Sequence, residues 1–86
     1  MENQKNEKEI QILFSVRDRL ADEFSEPRLF VNKAIALRWF ADVLHKTTFP
    51  ADDFELLAVG EFDMERGIIT GYEKPEFLQR GLPDEV

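Results

Sequence analysis

The 86-residue chain has no cysteine. That excludes a disulfide staple, a thiol nucleophile and any cysteine zinc site. His45 is the single histidine, so no second imidazole is present to complete a metal site. The four glycines stand at 60, 67, 71 and 81, too scattered for a phosphate-cradling loop. Ser15 and Ser25 lack the G-x-S-x-G setting of a serine nucleophile. No apolar run approaches the roughly 18 residues that span a membrane. The opening Met1-Glu2-Asn3-Gln4-Lys5 has no apolar core and does not read as a secretory signal. These gaps argue against an enzyme, and no cofactor or metal is expected.

What is present describes a small acidic domain. Apolar residues make up 43% and include 8 Phe, a composition that folds. At 10.1 kDa the chain is one domain with one thin core. The net charge of −7 is unevenly spread. Residues 1–9 carry −1, residues 10–46 carry +1 and residues 47–86 carry −7. An acidic half repels phosphate, so a broad nucleic-acid footprint is absent. Such an excess mainly serves solubility.

Periodicity places the elements. Residues 1–9 form a polar leader without apolar residues after Met1. In Ile10–Val16, Ile10, Ile12, Phe14 and Val16 alternate with polar positions, which predicts a strand. Leu13 breaks the alternation and suggests that the second face is partly covered. Arg17–Pro27 is a charged connection, and Leu29–Val31 a brief extended piece. Asn32 reads as the N-cap of a helix over 33–46. Arg38, Asp42 and His45 form its solvent stripe, with an Arg38–Asp42 pair at i, i+4. Phe54–Phe62 is a second strand, expected to place Phe54, Leu56, Ala58, Gly60 and Phe62 on one face. A turn closed by Gly67 leads to a partner strand over 68–72. Lys74-Pro75 is expected to end it, and 76–81 to form one helical turn. Residues 81–86 are an acidic tail. The expected class is α+β, a single domain over 10–80. One amphipathic helix packs on a small, mainly antiparallel sheet of three or four strands.

Candidate sites are few. Glu61, Asp63 and Glu65 space like the first calcium-loop ligands, but the glycine falls one place late and the twelfth position is Tyr72. A solvated hairpin explains them. His45 suits the negative end of the helix dipole. The aromatic residues read as core rather than as a stacking platform. Arg17, Arg19 and Arg28 are the only arginine cluster and the one candidate contact for nucleic acid. Interleaved Asp18, Asp22, Glu23 and Glu26 weaken it. Leu13, Leu57 and Val59 lie on the sheet face away from the helix, a candidate face for an oligomer or a partner.

The strand ending Phe14-Ser15-Val16-Arg17-Asp18 is followed by Glu26-Pro27-Arg28-Leu29-Phe30 and the helix Ala34–Phe40. Then come Pro50-Ala51-Asp52-Asp53-Phe54-Glu55-Leu56, Val59-Gly60-Glu61-Phe62-Asp63, the turn at Gly67 and Lys74-Pro75-Glu76. Over about residues 10–80 this pattern resembles the small nonstructural protein of gokushovirus-type microviruses, bacteriophages with single-stranded DNA. The resemblance implies a non-enzymatic protein of the infected bacterium's cytoplasm. It implies contacts with viral replication or procapsid proteins during single-stranded DNA synthesis or packaging, and no catalytic residues. The alternatives are a single-stranded DNA-binding accessory protein and an acidic inhibitor of a host protein.

Overall fold

A computed structural model describes residues 9–82. Apart from Glu9, Gly81 and Leu82, the expected leader 1–9 and tail 81–86 lie outside the described residues. Strand β1 is Ile10–Asp18, followed by the short strands β2 (Glu23–Phe24) and β3 (Arg28–Phe30). Helix α1 spans Lys33–Lys46, and a 3₁₀ turn covers Ala51–Asp53. Strands β4 (Phe54–Asp63) and β5 (Ile68–Arg80) complete the fold. The class is α+β with one antiparallel sheet in the order β2-β1-β4-β5, β3 also pairing with β1.

The sheet is larger than the three or four strands expected, with five. The charged connection supplies the difference. Asp18 begins a tight turn: its Oδ1 accepts from the amides of Leu20 and Ala21, and its carbonyl from the amide of Asp22. Asp22 sits at φ 59°, the left-handed region that aspartate tolerates better than most residues. The chain thereby reverses and lays β2 and β3 along one edge of β1.

The β4–β5 turn repeats this device. Asp63 Oδ1 accepts from the amides of Glu65 and Arg66, and the Asp63 carbonyl from Gly67, which sits at φ 72°. Two turns of like bonding thus fold the sheet, one closed by aspartate and one by glycine.

Helix α1 starts as expected: Asn32 Oδ1 accepts from the Ile35 amide at 2.9 Å. Asp42, however, pairs with Lys46 at 3.0 Å rather than with Arg38. The acid stands N-terminal to the base in that pair, the better orientation on a helix. Ala36 and Phe40 are buried against Phe14, Val16, Leu56 and Ala58. Phe14 stacks obliquely on Phe30 at 5.9 Å, and Phe30 on Trp39 at 5.3 Å. The aromatic residues there are core, as expected.

Two further expectations fail in β5. Lys74-Pro75 does not end the strand, and 76–81 is no helical turn: β5 runs on to Arg80. The register explains how. Gly71 pairs with Gly60 and Glu76 with Ala58, so residues 72–75 stand against the single residue Val59. Proline has no amide to donate, and a bulge needs none from it. Past the bulge, Glu76 and Phe77 rejoin the ladder opposite Ala58 and Leu57.

Val59 also corrects the face assignment of β4. Phe14 pairs with Ala58 and Leu13 with Gly60, so Val59 is an extra residue in β4. Side chains alternate with period two, and one added residue reverses the faces beyond it. Phe54, Leu56 and Ala58 share the helix side with Phe14. Gly60 and Phe62 share the opposite side with Leu13 and Gln11.

Candidate interaction surface

Facing residues of an antiparallel ladder lie on the same side. On β1 the side away from α1 carries Gln11, Leu13, Ser15 and Arg17. Reading across the ladder extends each into a row. Gln11, Phe62 and Ile69 form the first row. Leu29, Leu13, Gly60 and Gly71 form the second. Ser15, Leu57 and Phe77 form the third. None of these residues carries a charge. The charged row comes next, with Arg17, Phe24, Glu55 and Arg80.

This side is not evenly open. Leu57 is only 8% exposed, and Leu13 and Val59 are half-buried. Of the candidate partner face, Leu57 is therefore floor rather than rim. Ile69 and Phe77, which pattern reading did not assign, are 66% and 55% exposed. The sequence reading put Ile69 in the partner strand without giving it a face, and 77 in a helical turn. Only the register reveals both.

Ser15 is the buried polar residue of the third row. Its hydroxyl donates to the Ser25 carbonyl at 2.8 Å. Ser25 in turn uses its Oγ to accept the Val16 amide at 3.0 Å, while its own amide donates to the Val16 carbonyl. These bonds bridge the one-residue offset between the β2 and β3 registers. Ser15 and Ser25 are thus structural. Beside them the face dips into an open depression of about 370 Å³, lined by Phe24, Pro27, Val59, Tyr72 and Pro75. Tyr72 donates its hydroxyl to Glu61 at 3.2 Å. Partial burial, and secondarily the Glu61 carboxylate, push its phenol above the ordinary tyrosine value.

The three arginines do not converge. Arg17 binds Asp22 at 2.7 Å and Glu55 at 3.3 Å. The bond to Asp22 raises the already high pKa of its guanidinium. Arg19 approaches Glu55 at 3.6 Å and donates to the Asp52 carbonyl at 3.0 Å. Arg80 joins this group, donating to the same carbonyl at 3.1 Å. Arg28 is elsewhere, on the α1 side, 5.6 Å over the Trp39 ring. The cluster is an ion-paired network with Asp22, Asp52 and Glu55, and a phosphate there competes with carboxylates already in place. The sequence signal for Arg80 was the carboxylate-rich stretch 52–55, whose partners lie far along the chain.

The remaining candidates have local roles. Asp63 caps its turn, and Glu61 accepts from Tyr72. Among the described residues no helix is long and apolar enough to cross a membrane. The family model described as Phage ORF5 protein matches residues 11–83. The chain belongs to the phage ORF5 protein family. Its match takes in the helix and all five strands apart from Ile10 at the start of β1. No curated protein and no solved structure matches this ORF5-family chain. It is a phage protein.

Proposed function

We propose that this ORF5-family chain is a nonstructural protein of a single-stranded DNA bacteriophage of the gokushovirus type. It acts without catalysis, through protein–protein contacts, in viral single-stranded DNA synthesis or genome packaging. Its site of action is the host bacterial cytoplasm, and its partners are viral replication or procapsid proteins.

One observation carries this reading. A chain of net charge −7 carries three rows of uncharged residues on the sheet side away from α1, along which Ile69 and Phe77 are exposed. Such a face suits apolar protein contact and repays desolvation. Phosphate recognition needs free cations, and Arg17 and Arg19 are already engaged by Asp22 and Glu55. The likeness of residues 10–80 to the gokushovirus protein supports the viral setting.

The test is a phage carrying a stop codon in this reading frame. The expected outcome is that double-stranded viral DNA persists while single-stranded DNA and filled particles fall, with rescue by the gene supplied in trans. Normal yields of both would overturn the role. A labelled single-stranded oligonucleotide, followed by fluorescence anisotropy, tests the mode. No binding at low salt is expected. Affinity that falls steeply with salt would replace the reading with the DNA-binding alternative.

A further inference from the structure

The last row of the sheet on the α1 side sets two acids face to face. Glu23 faces Asp18 across β1 and β2, and Asp18 faces Phe54 across β1 and β4. Like charges directly opposite on a ladder repel, with Cβ atoms about 5 Å apart. No cation among the described residues offsets this pair. The Asp18 carboxylate accepts from the turn amides of Leu20 and Ala21, and the Glu23 carboxylate has no hydrogen bond or ion pair among the described residues. The neighbouring cations are drawn elsewhere. Arg17 goes to Asp22 and Glu55, Arg19 to Glu55 and the Asp52 carbonyl, and Lys46 to Asp42.

Both carboxylates line an open hollow of about 320 Å³ between the sheet and α1. Its wall is otherwise mainly apolar, with Val16 and Phe54 from the strands and Trp39 and Val43 one turn apart on the helix. Arg28 stands over the Trp39 ring but does not line the hollow, and among the described residues no other cation does. A space of this size is at the lower end of ligand-binding cavities.

We propose that this hollow receives an arginine side chain of a partner protein. The inference rests on the reading that the chain works through protein contacts, and it gives the chemistry of one contact. Arginine joins the two properties of the wall in one side chain. Its methylene stem covers apolar surface while its head keeps polar partners. The stem lies along Trp39, Val43 and Phe54, and the guanidinium lies between Asp18 and Glu23. Its planar fork donates to both carboxylates at once and cancels their repulsion. Other occupants fit less well. A phosphate or carboxylate is repelled by both acids. A purely apolar residue leaves the two acids facing each other in a drier site, which costs more. Lysine brings a point charge where two acceptors stand apart.

Trp39 is the only tryptophan, so its emission reports on the hollow. The probes are N-acetyl-arginine amide and its uncharged isostere N-acetyl-citrulline amide, titrated into the full chain at low salt. The expected result is a saturable change of emission with the arginine probe, half-complete at or below about 10 mM, and binding about tenfold weaker or less with citrulline. Glu23→Gln removes one acceptor charge at an exposed position and is expected to weaken the arginine probe by about threefold or more. Glu26→Gln, an exposed acid outside the hollow, is expected to leave it unchanged. Circular dichroism confirms that both variants fold. No saturable response to arginine overturns the proposal. So does an equal response to citrulline, an affinity that Glu23→Gln leaves intact, or an equal loss in both variants. Stronger binding of putrescine overturns it as well and makes the hollow a site for free diamines. The phage experiment keeps the two readings apart. A dispensable gene with a saturating arginine probe strikes the viral role alone, and a required gene with no response strikes this site alone.

Discussion

Ser25 stands in for backbone opposite Val16: its hydroxyl, not a carbonyl, accepts the Val16 amide at 3.0 Å. Ser15 completes the bridge from the neighbouring position. Ser25→Ala removes the acceptor and leaves a buried amide without its partner. An unsatisfied buried group costs about 1–3 kcal/mol. A loss of that size is expected in urea unfolding, with an unchanged m-value. A loss below about 0.5 kcal/mol would mean that water or a shifted carbonyl replaces the hydroxyl.

The paired turns predict an asymmetric tolerance. Asp22 and Gly67 hold the same left-handed position at the ends of like turns. Gly67→Asp therefore follows an example within the protein and is expected to cost about 1 kcal/mol or less. Gly67→Val places a β-branched residue there and is expected to cost more, of order 1–3 kcal/mol. Thermal unfolding of the two variants checks the order. Equal losses would show that the turn relaxes out of the left-handed region.

Glu55 holds Arg17 and Arg19 together, and both arginines are part-exposed. Exposed pairs contribute little, so Glu55→Gln is expected to lower stability by about 1 kcal/mol at most. Its larger effect is electrostatic. Removing the carboxylate that Arg17 and Arg19 share, while Arg17 keeps Asp22, is expected to give weak, salt-sensitive affinity for single-stranded DNA above that of the unaltered chain. Anisotropy at low salt reads this directly, and no gain would show that Asp22 and Asp52 suffice to neutralise the pair.

Tyr72 sets a limit at high pH. Its phenol is raised above the ordinary value near 10, first by burial and then by Glu61. The folded state thus favours the protonated form. That contribution is intact below pH about 10 and is lost as pH rises through the elevated value. The melting temperature is expected to fall more steeply above pH 10 for the unaltered chain than for Tyr72→Phe. Parallel curves would remove Tyr72 from the alkaline response.

The elements that pattern reading located are those whose signal is local. Asn32, the alternation of Ile10 to Val16 and the turn at Gly67 each declare themselves within a few residues. The missing strand β2 has too few residues to show a period, and β3 was read as an extended piece over 29–31 without its pairing to β1. The turn before them uses aspartate where a glycine would have been legible. Pro75 was read as a stop because its lack of an amide is a local fact, while the bulge that makes the amide unnecessary depends on β4. The residues of the candidate face were read incompletely for the same reason. Leu13 and Leu57 lie on the open side as expected, but Phe62 was assigned to the helix side. Ile69 and Phe77 were not assigned at all. Of the arginine cluster, Arg28 separates because β3 pairs it with Phe14 on the α1 side, while Arg17 and Arg19 stay together on Glu55, a counter-ion more than thirty positions away.

The inserted Val59 has an implication for how this surface changes over time. Composition did not decide where Phe62 points; the count of residues between Ala58 and Gly60 did. Loss of that one residue would rotate the β4 segment from 60 onward by half a turn, sending Phe62 against the helix layer and Glu61 outward. A mutation of length, with no change in any side chain, would then exchange what the arm shows to the outside. Relatives that differ by one residue here are best compared by ladder position, not by aligned identity.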